Sequence, residues 1–326
     1  MALHFGERRG ISYYLNLIKK QISPKKRPSK KMNKKAQEWA ESYFSRLDKA
    51  IEELRNHDLV SQVNVIKYPG ATEEELADAE TQVYERQLEN SEDYDAQAPD
   101  EPFVFNPFIR EFYKRSNGLH ISWHSVIFPE AEIEEDPDGE IPIAQDEDDY
   151  KEGWISILSA ECLATQQGFY VKGEPQETDL GESVQSDGGL LHYIDGYNYY
   201  HDACMILENG NPTIAFGDDH SASYDTPHEC DFVIYMEYAL STFFSVVCRS
   251  KKLRFSDKKA VYPKLKKMVK NQDYNDLVAL FQNNENTDID SVIALGYKKK
   301  GHEYAQEDHR EGLPESLQER LGLLIK

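Results

Sequence analysis

No stretch of this 326-residue chain approaches the roughly 20 consecutive apolar residues needed to cross a bilayer, and no apolar core with a small-residue cleavage site stands at its start. A cytoplasmic address is the expectation that follows. Cysteine is scarce as well. Cys162, Cys204, Cys230 and Cys248 stand at irregular spacings with no C-x-x-C pair, which excludes a disulfide scaffold and reads as reduced, partly buried thiols. The common catalytic patterns are also missing: no Walker-type phosphate loop, no G-x-G-x-x-G after a strand, no G-x-S-x-G elbow and no H-E-x-x-H helix. No enzyme activity and no cofactor are expected on that reading.

Basic residues are absent where acidic ones are densest. From Glu130 to Asp149 there is no Lys or Arg, and residues 71–152 carry 25 acidic against five basic side chains, within a chain of net charge −22. By contrast, residues 1–40 hold eleven Lys or Arg against Glu7 and Glu38, and residues 251–300 hold twelve basic against six acidic. Such segregation repels nucleic acid from the acidic segment and favours encounter with a basic protein. Glu132, Glu134, Glu135, Asp136, Asp138, Glu140, Asp146, Glu147, Asp148 and Asp149 are the candidate contact residues, against the alternative of a solvated acidic hairpin.

What the chain does contain is enough large side chains for a core: the hydrophobic fraction is 39%, with 20 Tyr and 14 Phe. Ile11, Leu15, Ile18 and Ile22 recur at helical spacing before the Pro-broken basic run at 24–31. That end reads as a flexible solubilising tail, with an import-type signal, a nucleic-acid arm or peripheral membrane contact as alternatives. A helix is predicted from Lys34 to Arg55 on the stripe Trp39, Tyr43, Leu47, Ile51 and Leu54, then an extended stretch at 63–66. Thr72 and Glu75 form a capping box for a helix whose inward row is Leu76, Ala79 and Val83. The acidic text from Glu89 to Glu101 reads as a loop. A short helix from Asn106 buries Phe108, Ile109 and Phe112, with Gly118 supplying a left-handed cap.

Beyond Gly118 the period becomes two: Leu119, Ile121 and Trp123 alternate with His120, Ser122 and His124, a strand with one buried face. Further strands are expected near Trp154–Leu158, Phe169–Lys172, Leu190–Asp195 and Ala203–Leu207, with a hairpin at 209–212 leading into Thr213–Phe216. Thr226-Pro227-His228-Glu229 is a second capping box opening an apolar core helix through Val247, in which Asp231 and Glu237 argue against a membrane span. Strands without alternating helices give an α+β fold with a central, mostly antiparallel sheet. Three parts follow: a basic amphipathic segment at 1–33, the main domain at 34–250, and a basic helical extension at 251–326.

Metal patterns are incomplete. His120 and His124 lie about 13 Å apart on a strand, at about 3.3 Å per residue, and read as surface histidines. His201 with Cys204, and His228 with Cys230, lack the tight paired spacing of zinc sites, and Cys230 is expected to turn inward. A calcium loop starting at Glu134 meets Gln145 where a bidentate Glu is required. No metal is expected.

Three ordered stretches carry a resemblance: Pro69-Gly70-Ala71-Thr72-Glu73-Glu74-Glu75-Leu76 running to Glu80, Phe108 to Gly118, and Asp231-Phe232 with its closing helix. Together they resemble the SUKH superfamily over about 60–248. The Leu-Pro usual before the second helix is replaced here by the Glu89–Glu101 insertion. The resemblance implies an α+β fold and surface recognition in place of turnover: immunity proteins that neutralise toxins, often nucleases or deaminases, or alternatively regulatory scaffolds. It also makes Gly70, Asn117, Gly118 and Trp123 framework residues.

Overall fold

The computed structural model describes residues 30–93, 99–125, 153–165, 169–171, 175–177, 183–185, 189–198, 201–207, 214–218, 223–225, 230–249, 253, 255, 257–283, 288–295 and 314–322. Its first helix, α1 (Lys30–Asn56), buries Ala36, Ala40, Tyr43, Leu47, Ile51 and Leu54. Those spacings of three and four place one apolar stripe against the core. Strand β1 (Val60–Lys67) and helix α2 (Glu73–Asp93) follow. The Thr72 box forms as its residues dictate: the Thr72 N–H donates to Glu75 Oε2 (2.7 Å) and the Glu75 N–H to Thr72 Oγ1 (3.2 Å). The polar text expected to leave the helix at Glu89 stays helical to Asp93, because no Gly or Pro intervenes to stop it.

Helix α3 (Pro107–Arg115) is capped by Asn106, whose side chain accepts from the Phe108 N–H at 2.9 Å, with Pro at the first turn. It buries Phe108, Ile109, Phe112 and Tyr113. Its end differs from expectation. Ser116 closes the helix in extended conformation, donating its N–H to Phe112, while Gly118 (φ 116°) lies beyond the cap and opens strand β2 (Leu119–Ser125).

The remaining strands are β3 (Gly153–Ile157), β4 (Phe169–Val171), β5 (Pro175–Glu177), β6 (Ser183–Gln185), β7 (Gly189–Asn198), β8 (His201–Ile206), β9 (Ile214–Asp218) and β10 (Ser223–Asp225), with helix α4 (Ala160–Thr165) between β3 and β4. The main sheet runs β1-β2-β3-β7-β8-β9-β10, with β4 also beside β7, and β5 and β6 form a separate ribbon. Every described pairing is antiparallel. The fold is α+β.

Strand β2 corrects one expectation. All seven of its residues are buried, including His120 and His124, which are therefore not surface histidines. Alternation in polarity had implied one wet face, but β2 is an inner strand between β1 and β3 and the residues of both its faces are buried. On the polar side, the His120 ring meets the edge of Trp154 at 4.5 Å. On the other, Leu119, Ile121, Ile155 and Ile157 join α1 in one apolar cluster.

The closing helix is α5 (Phe232–Ser241), followed by a single turn, α6 (Val246–Arg249). Residues 226–229 lie outside the described residues, and the cap of α5 is Asp231, which accepts from the Ile234 N–H at 3.0 Å. From Phe232 to Leu240 every side chain is buried, as expected of a helix that is apolar apart from Glu237. It does not run unbroken to Val247. Phe243 (φ 49°) and Phe244 (φ 61°) turn the chain through the left-handed region, a costly conformation for aromatic residues. The turn aims the Phe243 carbonyl at the Trp123 indole N–H (2.6 Å) and the Phe244 carbonyl at the Trp154 N–H (2.8 Å).

Helices α7 (Lys258–Asn271) and α8 (Leu277–Gln282) then return to the same core through Val261, Leu265, Leu277 and Phe281. A smaller cluster joins Leu54, Leu59, Trp123 and Phe243 to α9 (289–295) and to Leu321, which follows α10 (Glu315–Arg320). Arg320 fastens it, donating to Asp58 (2.7 and 3.0 Å) and Asp290 (2.7 and 3.1 Å).

Candidate functional site

Apart from Glu75, which caps the helix, the carboxylates of α2 from Glu73 to Glu89 meet two fates. Those facing α3 are neutralised: Arg110 donates to both Glu73 and Glu80, Lys114 reaches Glu73 at 2.6 Å, and Glu80 also accepts the Phe105 N–H at 2.9 Å. The Lys114 ammonium and then Arg110 hold the Glu73 carboxyl below its usual range, against the opposing effect of desolvation. Those facing outward are not neutralised. Glu74, Asp78, Glu85 and Glu89 are exposed and have no ion-pair partner among the described residues. At 100° and 1.5 Å per residue they fall within an arc of about 60° and a length of about 22 Å, one acidic stripe along the helix. The sequence showed the sign of charge here but not the face: the four positions avoid the inward row Leu76, Ala79 and Val83, yet Glu89 reads there as loop.

The framework residues lie where the chain crosses itself closely. A side chain at Gly70 would stand 2.0 Å from the Lys114 carbonyl oxygen, so only glycine lets the entry to α2 lie across the end of α3. The crossing is held by Ala71 N–H to Tyr113 O (2.8 Å) and Asn117 N–H to Pro69 O (3.0 Å). The Asn117 side chain then accepts the Ala160 N–H at 2.9 Å, linking α3 to α4. Tyr68 donates its N–H to Gly118 O at 3.3 Å. Trp123 is fully buried over Gly153, where an added Cβ would come within 1.8 Å of the indole nitrogen.

Three buried carboxylates were not visible as partners in the sequence, because their cations or hydroxyls lie at least 40 residues away. Glu237 of α5 accepts hydrogen bonds from both terminal Arg46 guanidinium nitrogens (2.6 and 2.7 Å) and from the Trp39 indole N–H (2.8 Å), tying α1 to the closing helix. Asp195 of β7 accepts the Ser156 N–H (2.7 Å), the Tyr235 hydroxyl (2.5 Å) and Arg249, all buried residues. Arg249 also donates to Tyr235 Oη (2.9 Å) and Phe244 O (3.0 Å). Asp231 accepts the Tyr274 hydroxyl. These groups are enclosed in the core, where a carboxylate saturated with donors holds elements together.

Glu132, Glu134, Glu135, Asp136, Asp138, Glu140, Asp146, Glu147, Asp148 and Asp149, with the loop from Glu134 to Gln145, lie outside the described residues. So do His228 and the segment before Lys30. Cys204, Cys230 and Cys248 are buried free thiols and Cys162 is exposed; Cys230 turns inward as expected. Among the described residues, no three His, Cys, Asp or Glu side chains converge on a metal position, and no helix is long and apolar enough to cross a membrane. Comparison with protein-family models, with curated proteins and with solved structures gave no match to this chain.

Proposed function

We propose that this chain is a non-catalytic, immunity-type protein that binds and neutralises a basic protein, a toxin of nuclease or deaminase kind, through an acidic surface. The observation that carries this reading is the outward stripe of α2, whose four carboxylates are exposed while their inward neighbours are paired with Arg110 and Lys114. A row of unneutralised charge at fixed spacing attracts a cationic surface and sets the register of encounter. The stripe belongs to the same acidic segment as Glu130–Asp149, where no Lys or Arg dilutes the field.

The test uses the partner recovered from the native host by affinity capture on the full-length protein. Replacing Glu74, Asp78, Glu85 and Glu89 by Gln or Asn is expected to slow association about tenfold or more at low salt and to flatten its salt dependence. Neutralising Glu134, Asp136, Asp138, Asp146 and Asp148 should act in the same direction. An association rate and salt slope equal to those of the parent protein in both variants would reject the acidic surface as the contact.

A further inference from the structure

Strand β1 ends the main sheet, and its outer edge is open. It pairs with β2 on one side, and no described strand lies on the other. The ladder fixes which backbone groups face out. Tyr68 donates its N–H to Gly118 O, and the register continues with Ile66 opposite His120 and Asn64 opposite Ser122, so the even-numbered residues bond to β2. Val63, Val65 and Lys67 therefore turn their N–H and C=O groups to the open side, where no hydrogen-bond partner stands among the described residues. Edges of natural sheets are usually blunted by shortness, proline or unpaired charge. This one is not: β1 runs eight residues without proline, and its single charged side chain, Lys67, is ion-paired with Asp48 of α1. Its one irregularity, between Val60 and Gln62, lies before the stretch 63–67. The exposed large apolar side chains among the described residues, Ile66 (43%) and Tyr68 (37%), stand at this same edge.

We propose that a second copy of this chain pairs antiparallel with β1, joining the two sheets across a two-fold axis at Val65. A row of backbone donors and acceptors specifies a β-strand, since a lipid surface or a polyanion offers no matching ladder. Register and charge select the second copy. With Val65 opposite its own counterpart, Val63 lies opposite Lys67, so every outward group from Val63 to Lys67 finds a partner in about six backbone bonds. The lone positive charge of the strand then meets a valine and never its like. On the outer face Ile66 lies opposite Asn64 and diagonal to the other Ile66, and Tyr68 lies opposite Gln62, so both exposed apolar side chains gain cover. A strongly charged partner, by contrast, has no unpaired charge to meet along β1. The acidic stripe lies on α2, a different element, so the dimer would carry two such stripes.

Sedimentation velocity of the full-length protein across an about hundredfold range of concentration tests this. The expected result is a monomer–dimer equilibrium that tightens with added salt, because each chain carries a net charge of −22 and screening weakens the repulsion. Binding of a basic partner through the acidic stripe weakens with salt, so the sign of the salt effect tells the two contacts apart. Ile66→Lys places a charge on the diagonal between the copies, and Val65→Pro removes the central N–H; each should weaken the dimer about tenfold or more. Ile66 is exposed, so a melting temperature equal to the parent's, both measured where the parent is monomeric, separates lost pairing from lost fold. A monomer at every concentration and salt would overturn the proposal, as would a dimer that both variants leave intact. Mass growing past the dimer would do so too, since a two-fold contact closes. A monomer whose Ile66→Lys variant loses affinity for the partner recovered from the host would assign the edge to that partner and overturn the second copy.

Discussion

At the scale of single residues, the buried charges decide more than the exposed ones. Arg249 and Asp195 are both inaccessible to solvent, and each is held by further donors or acceptors. Replacing Arg249 by Met removes the cation but leaves the carboxylate in the core with only Tyr235 and Ser156, a change expected to cost about 3–5 kcal/mol. Urea denaturation of the two proteins at neutral pH measures it. The double variant Arg249→Met, Asp195→Leu should recover part of the loss, since no charge is then stranded. His192 shows the same physics by titration. Its ring nitrogen Nδ1 lies 2.8 Å from the Leu163 carbonyl oxygen, and burial pushes its pKa down from 6.5 to about 4. Between those values the unfolded chain binds a proton that the folded chain refuses. Stability therefore falls as pH drops from about 6.5 toward 4 and the loss levels off below that, amounting to about 3–4 kcal/mol for this group. A His192→Gln variant should show a shallower decline between pH 7 and 4.5 in the same denaturation experiment; a slope equal to the parent's would place the acid sensitivity elsewhere.

At the scale of elements, the helices beyond residue 250 are bound to the body more intimately than an appended module would be. Phe255, Val261, Leu265, Leu277 and Phe281 lie in the principal core, and Phe255 and Phe281 stack at 5.6 Å beside Tyr238 of α5. Removing five such side chains forfeits the burial they contribute, about 1.5–3 kcal/mol each, which together equals the whole stability of an ordinary domain. A chain ending at residue 250 is thus expected to be insoluble or unfolded, as circular dichroism and melting would reveal. Soluble, cooperatively melting protein from that truncation would show that the contacts of α7 and α8 are dispensable. The break after α5 belongs to this scale as well. Thr242 bonds back to the Tyr238 carbonyl at 2.9 Å, and two left-handed phenylalanines follow, so the helix ends where the sheet needs carbonyls for Trp123 and Trp154.

At the scale of the molecule, charge is sorted by element: carboxylates along α2, lysines along α7 and at the start of α1. The sequence shows the sign of charge in each segment but not the helical face that carries it: Glu89 reads there as loop and residues 258–271 only as part of a basic extension. Local order was legible. The Thr72–Glu75 box, the Asn106 cap, the inward rows of α1 and α2 and the antiparallel α+β class each follow from residues within a few positions of one another. Tertiary structure alone decided the rest. Whether His120 and His124 met water depended on what covers the second face of β2, and whether the closing helix ran to Val247 depended on tryptophans more than 85 residues away. The partners of Asp195 and Glu237 depended on which strands and helices meet. Periodicity reports the polarity of a face and short motifs report a cap, whereas burial and pairing are properties of two segments brought together, and neither segment records the other.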